Sequence, residues 1–154
     1  LESVPNLIGM KDSSGNRANL DPLVQARKNR TFSLFVGDDD LLLTALQAGW
    51  DGVVSGIACF MPELIHALYY GFREGDEDGA SSYQAILDEL LNQVVRLPIP
   101  WGVRVGLAAR GIPNGPMHVP PSAGRLRQME ELREWLDRWA AQRGLPLNQV
   151  WSRL

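Results

Sequence analysis

The chain has 154 residues, is 45% hydrophobic and carries a formal net charge of -3. That length and apolar content suffice for a compact domain with a core and argue against disorder. The acidic balance shows no basic patch of the kind that binds nucleic acid, and no apolar run reaches the roughly 20 residues needed to cross a bilayer.

Asn6 to Met10 is a short apolar run ending at Lys11-Asp12. It predicts a buried strand, with Pro5-Asn6 before it and Ser13-Ser14-Gly15-Asn16 after it as turn chemistry. Arg17 to Lys28 predicts a helix with Leu20, Leu23, Val24 and Ala26 on one side. Thr31 to Val36 is the second predicted strand, stopped by Gly37. Asp38, Asp39 and Asp40 are cap-type residues ahead of a helix over Leu41 to Ala48, which Gly49 closes. Gly52 to Ile57 is the third strand. Pro62 suits the first position of a helix running to Phe72 and ended by Gly75.

After Asp76 the pattern becomes helical only. Ala80 to Val95 is amphipathic through Tyr83, Ile86, Leu87, Leu90, Leu91 and Val94. A shorter helix covers Trp101 to Arg110, and Gly111 to Pro121 is a proline-rich loop. Ser122 to Ala141 is a long helix with Leu126, Met129, Leu132, Leu136 and Trp139 on its apolar side.

Alternating strands and helices imply parallel strands joined by right-handed crossovers. Three such strands leave both sheet edges bare, which invites pairing with other chains. An eight-stranded barrel removes the edges, so the pattern reads as the last part of a barrel followed by a helical tail. A small doubly wound sheet satisfies the same pattern. The organisation expected is a partial barrel over residues 1–75 and a three-helix extension over 76–154.

The start of the chain lacks the basic-then-apolar arrangement of a secretory signal. A single cysteine, Cys59, cannot form an internal disulfide, and a reducing, cytoplasmic setting is expected. The chain opens on Leu1 rather than Met, which leads us to expect a piece of a longer protein.

The chemistry centres on Asn6 to Asn16. Side chains alternate along a strand, so Leu7, Gly9 and Lys11 share one face. Gly9 is expected to leave space beneath Lys11. A lysine at the C-terminal end of a barrel strand stands where barrel enzymes place catalytic groups. A neutral lysine amine attacks a ketone and forms an iminium, which draws electrons from the adjacent carbon and allows an enamine to form. The amine must first lose its proton, and burial at an apolar strand end favours the neutral form.

The run Gly9-Met10-Lys11-Asp12-Ser13-Ser14-Gly15-Asn16 resembles the Schiff-base lysine motif of the dihydrodipicolinate synthase and N-acetylneuraminate lyase family, the class I pyruvate-dependent aldolases. Gly37-Asp38-Asp39 is similar to that family's motif at the next strand exit, and Gly52-Val53-Val54-Ser55-Gly56-Ile57-Ala58 to its eighth-strand segment. The likeness continues through Pro62-Glu63 and Gly75-Asp76 to Pro98-Ile99-Pro100.

The resemblance implies an α/β fold, the C-terminal part of a (β/α)8 TIM barrel with strands six to eight present. It implies that Lys11 forms an imine with pyruvate and that the Val54 carbonyl faces the active site. It implies that Ser13, Gly37 and Asp39 bind a substrate's hydroxylated tail. No cofactor is implied, because the lysine imine is the electron sink. The implied partners are pyruvate and an aldehyde such as aspartate semialdehyde, or a 2-keto acid for the reverse cleavage. The complete protein is implied to be a homo-oligomer, commonly a tetramer.

The resemblance also implies that the proton-relaying tyrosine and the threonine pair holding the pyruvate carboxylate lie outside this chain. Gly56 stands where sialic acid lyases usually carry serine, and Ile57-Ala58-Cys59-Phe60 departs from the Thr-Ala-Asn run of the synthases. A synthase, a 2-keto-3-deoxy sugar acid aldolase and a non-catalytic truncated relative with a binding or scaffolding role are the alternatives.

Other residues read more plainly. Helix capping explains Asp38, Asp39 and Asp40 better than a metal does. Glu74 to Gly79 lacks the spacing of a calcium loop and reads as a solvated turn. His66 and His118 have no ligand spacing. Cys59 is expected to be a buried, small apolar residue, and Trp101, Trp135, Trp139 and Trp151 to serve packing.

Overall fold

In Phe32-Ser33-Leu34-Phe35-Val36, alternate residues are strongly apolar on one face and mixed on the other, and this alternation organises the sheet. The structure, a computed structural model, describes residue 4, residues 6–27, residues 31–145 and residue 147. Its described strands are β1 (Gly9–Asp12), β2 (Ser33–Val36) and β3 (Gly52–Val53). They are parallel and lie in the order β1-β2-β3, as the strand–helix alternation requires. The register sets Gly9 against Ser33 and Lys11 against Phe35, then Phe35 against Gly52.

The helices are α1 (Leu20–Arg27), α2 (Leu42–Gln47), α3 (Pro62–Glu74), α4 (Glu77–Val94), α5 (Trp101–Ala109) and α6 (Ala123–Gln142). The chain divides into two compact units within α4, one up to Glu89 and the other from Leu90.

In the first unit, Leu34 and Val36 point into a core made with Leu20, Phe32, Leu41, Ala45 and Trp50, with Met10, Val24 and Val53 packed against it. The Trp50 indole N–H donates to the Leu20 carbonyl at 3.1 Å, so this large side chain is buried with its polar atom satisfied. Asp51 accepts from the Leu34 amide and from Arg27, each at 2.8 Å, which ties the start of β3 to β2 and to the end of α1. The opposite face of the sheet carries Gly9, Lys11, Ser33, Phe35 and Gly52.

The strands are shorter than the sequence suggests. β1 begins at Gly9 rather than at Asn6 or Leu7, and Leu7 and Ile8 are 44% and 75% exposed. The Leu7 amide closes a turn on the Val4 carbonyl, and pairing with β2 starts only where Ser33 N donates to Ile8 O. β3 ends at Val53, not Ile57, because the Ser55 hydroxyl accepts from the Ala58 amide at 2.9 Å and starts a 3-10 turn over Ile57–Cys59. Likewise Arg17–Asn19 and Asp39–Leu41 are 3-10 turns preceding α1 and α2. Lys28 lies outside the described residues.

Gly75 ends α3 as expected, in a left-handed conformation with φ 84°. The aspartates after β2 do not cap α2: neither that helix nor the turn before it has a side-chain cap. Gln84 of α4 takes that role instead. Its Oε1 accepts from the Leu43 amide at 3.0 Å, and its Nε2 donates to the Asp39 carbonyl at 3.2 Å and to Asp88 at 2.8 Å.

In the second unit, Leu97, Val105, Ala109, Leu132, Leu136, Trp139 and Ala140 are buried. Ser122 caps α6 by accepting from the Arg125 amide. Trp135 and Trp139 stack at 5.5 Å, and the Arg143 guanidinium lies 4.8 Å from the Trp139 ring. Leu126, expected on the apolar side of α6, is 52% exposed. Trp151 falls outside the described residues.

Gln84 satisfies two backbone groups at the entrance to α2. Gln84→Ala should therefore lower the unfolding free energy by about 1–3 kcal/mol in urea titrations. Gln84→Glu, which keeps an acceptor for the Leu43 amide, should lose less. Equal losses in the two variants would show that the acceptor is unimportant.

Candidate functional site

All the candidate residues sit at or just beyond the C-terminal ends of the strands. Lys11 is the third residue of β1, on the face away from the helix-packed core, and its side chain is exposed. This chain therefore does not supply the apolar burial expected of that lysine. Gly9 does not provide the space for it either. A Cβ on Gly9 would come within 2.9 Å of Ser33 O, so Gly9 serves the close approach of β2. The clearance is at Gly37: a Cβ there would overlap the Ser13 hydroxyl and lie 2.5 Å from Lys11 Cε. Lys11, Ser13 and Gly37 thus converge at one point.

The loop after Lys11 is held by its own polar residues. The Asp12 carboxylate accepts from the Ser14 amide at 2.8 Å and from the Asn19 side chain at 2.9 Å. Asn19 also donates to the Ser14 hydroxyl, and Asn16 caps the following turn through the Ala18 amide. Asp38 reaches across from the exit of β2 to accept from the Gly15 amide at 3.0 Å. The Gly37 amide donates to the Asp12 carbonyl at 2.7 Å, which fixes the two strand exits side by side. The Asn19 and Ser14 hydrogen bonds hold the Asp12 carboxyl below its ordinary pKa.

Asp39 is 7% exposed and lies by the segment after β3. Burial pushes its carboxyl pKa up, and the Asp38 charge adds to this. The Ser55 hydroxyl and the Ile57 and Gly56 amides pull the other way. Asp39 Oδ1 has no hydrogen-bond partner among the described residues. Val54 follows β3 directly, is 49% exposed, and donates its amide to the Val36 carbonyl at 2.9 Å. The three aspartates have diverged, with Asp40 exposed. Among the described residues no group of three or more His, Cys, Asp or Glu could hold a metal ion.

Cys59 is exposed rather than buried. The 3-10 turn that carries it directs Ile57, Phe60 and Met61 inward instead. Ser55, Asn19 and Gln84 escaped the sequence reading. Ser55 three residues before Ala58, and Asn16 before a helical turn, are local cap signals that a closer reading could use. Gln84 has no such signal, because its partners lie about forty residues away.

A model of the Dihydrodipicolinate synthetase family matches residues 1–137. The chain belongs to this family. It is 30% identical over 116 residues to a 4-hydroxy-tetrahydrodipicolinate synthase of Methanosphaerula palustris, covering 75% of this chain and 40% of that protein. It is 36% identical over 120 residues to an uncharacterized DapA-like lyase of Halobacterium salinarum, covering 78% of this chain and 39% of the relative. The chain thus spans well under half the length of these curated relatives.

Among solved structures, dihydrodipicolinate synthase from Aquifex aeolicus superposes with a TM-score of 0.78 at 26% identity, over 94% of this chain and 47% of that one. YagE of Escherichia coli K12, a family member in complex with pyruvate, gives 0.77 at 26% identity, over 90% and 48%. The parallel strands and helices of this family member match about half of each solved chain. Among the described residues, no helix is long and apolar enough to cross a membrane.

Asp39 and Asp12 predict opposite pH slopes. The folded Asp39 carboxyl keeps its proton to higher pH than an unfolded chain would. Its ionised form therefore costs stability increasingly as pH rises from the ordinary range of about 3.9 through the raised value. Asp39→Asn should gain stability relative to wild type across that interval. Asp12 contributes stability that is present above the ordinary range and lost as pH falls through its lowered value, so Asp12→Asn should be most costly near neutrality. Urea midpoints between about pH 3 and 7 read both slopes, and a pH-independent Asp39→Asn difference would contradict the first.

Proposed function

We propose that this chain carries the imine-forming part of a pyruvate-dependent carbon–carbon lyase of the dihydrodipicolinate synthase type. The convergence of Lys11, Ser13 and Gly37 at the strand ends, on the sheet face opposite the core, supports this reading most strongly. Barrel enzymes build their sites at that end of the strands. The relatives named as synthases match most of this chain within a longer one. We take β1 to β3 as strands six to eight of a (β/α)8 barrel.

In this reading the neutral Lys11 amine adds to C2 of pyruvate. A carbon–nitrogen bond forms, and the carbonyl oxygen leaves as water after two proton transfers. The resulting iminium draws electrons from the methyl carbon, which loses a proton to give an enamine. That carbon then attacks an aldehyde, forming the new carbon–carbon bond, and hydrolysis of the imine returns the free lysine. The reverse sequence cleaves a 2-keto acid. Val54 offers a backbone carbonyl beside the reacting carbon, and Ser13 and Gly37 face the aldehyde portion, while Asp39, buried against the segment after β3, supports that segment rather than the aldehyde. Proton relay and carboxylate binding fall to strands outside this chain, and the working protein is a homo-oligomer.

Within this chain the sequence holds two lysines, Lys11 and Lys28, and peptide mapping separates them. In a complete protein containing this chain, pyruvate with borohydride should leave a reduced adduct on the peptide containing Lys11, and Lys11→Ala should abolish it. No adduct, or one that survives the substitution, would reject the mechanism.

The 154-residue chain alone should show no lyase turnover, because general acid–base catalysis typically supplies 10²–10⁴-fold and its proton relay is not in this chain. It should also associate in light scattering at micromolar concentration, because β1 and β3 each present an edge among the described strands. Turnover by the chain alone, or a monodisperse monomer, would show that these strands form a self-sufficient unit.

A further inference from the structure

Family resemblance gives Gly37 a contact with substrate. The geometry points to another role: we infer that Gly37 is a positioning residue for Lys11, its missing side chain being the gap through which the lysine crosses the end of β2. This inference rests on the reading of Lys11 as the imine-forming residue.

A glycine is required either by its backbone or by its surroundings. The positive-φ glycines of the chain include Gly15, Gly49 and Gly75, but Gly37 is not among them. Any L-residue can adopt its conformation, so the requirement is one of space. A Cβ at Gly37 would overlap the Ser13 hydroxyl, lie 2.8 Å from Ser13 Cβ and lie 2.5 Å from Lys11 Cε. Favourable carbon–carbon contacts begin at about 3.5 Å. By contrast, the nearest atom to a Cβ on Gly15 is 4.0 Å away and on Gly49 3.8 Å.

The backbone at Gly37 has little freedom to withdraw. Its amide is held on the Asp12 carbonyl at 2.7 Å, immediately after Lys11, and Asp38 is fastened to Gly15. Two of the obstructing atoms, Ser13 Oγ and Lys11 Cε, lie at or near side-chain ends and can move, while Ser13 Cβ is fixed to the loop after β1. A methyl group at position 37 would therefore press on that loop and drive the last methylene of Lys11 off its path, carrying the amine with it. Misplacement of a reacting group by about 1 Å can cost on the order of 10²-fold in rate.

The test uses a complete protein containing this chain and measures single-turnover formation of the pyruvate imine, trapped with borohydride and mapped to Lys11. Gly37→Ala should slow trapping by roughly 10–100-fold with a cooperative unfolding transition retained. The substitution is also made on a Ser13→Gly background, which removes the overlap with the serine and leaves the one with Lys11 Cε. The cost of Gly37→Ala should persist there.

Undiminished trapping in Gly37→Ala overturns the inference. So does a cost that disappears on the Ser13→Gly background, since Gly37 would then act through Ser13 alone. A wild type that traps no pyruvate rejects the functional reading instead. In that event the Lys11 ¹³Cε resonance, assigned by its loss in Lys11→Ala, decides the positioning claim: Gly37→Ala should move it, and an unmoved Lys11 signal refutes it. Should Gly37→Ala fail to fold, Lys11→Ala with Ser13→Gly must restore folding to it, and failure of that rescue also refutes the inference.

Discussion

The parallel sheet is buried on one face only by the helices of its own unit, and the rest of the structure follows from that asymmetry. Leu34 and Val36 face a core closed by Leu20, Leu41, Ala45 and Trp50. Because side chains alternate, the partners of those residues are committed to the other face. There the sequence places small residues, Phe35 and one long cation, Lys11. Burial of the core face fixes the register, and a shift by one residue would turn Lys11 into the core and Met10 out of it. The position of the lysine is thus a consequence of packing on the side of the sheet it does not touch.

The exits of the strands are locked by hydrogen bonds among polar groups of the loops themselves. Asp12 and Asn19 hold the loop after β1, Asp38 bridges to it from the exit of β2, and Ser55 turns the chain after β3. Together these hydrogen bonds hold Ser13, Gly37 and Val54 at the C-terminal ends of adjacent strands. Asp39 differs from its neighbours in being buried, a choice made possible by its place beneath the Ser55–Ile57 segment.

Much of this could be read in the sequence. The strand–helix alternation, the Gly75 stop, the Lys11 motif and the family are visible because each depends on local pattern or on a short run of residues. The boundaries of β1 and β3 were less legible. Leu7 and Ile8 look buried by composition, yet they precede a strand at the edge of the sheet, with no neighbour beyond it among the described strands. Cys59 and Leu126 look apolar enough for a core, but the phase of a short turn and of a long helix decides their exposure. The steric gap at Gly37 was not legible, because space filled by another residue's side chain leaves no signature in sequence. Gln84 capping α2 from a distant helix is likewise a purely tertiary relation.

The open face acquires its meaning when β1 is regarded as an internal strand of a larger barrel. In a parallel ladder successive amides point alternately to the two neighbouring strands. Because Ser33 N donates to Ile8 O and Gly37 N to Asp12 O, the amides of Gly9 and Lys11 point away from β2. Amide hydrogen exchange at Lys11, compared between this chain at monomeric dilution and a complete protein containing it, reads this arrangement directly. If the Lys11 face is the inside of a barrel closed by further strands, the Lys11 amide exchanges fast in the isolated chain and becomes strongly protected in the complete protein, while Asp12 is protected in both. Strong protection of Lys11 in the isolated monomer, or fast exchange in the complete protein, would contradict it.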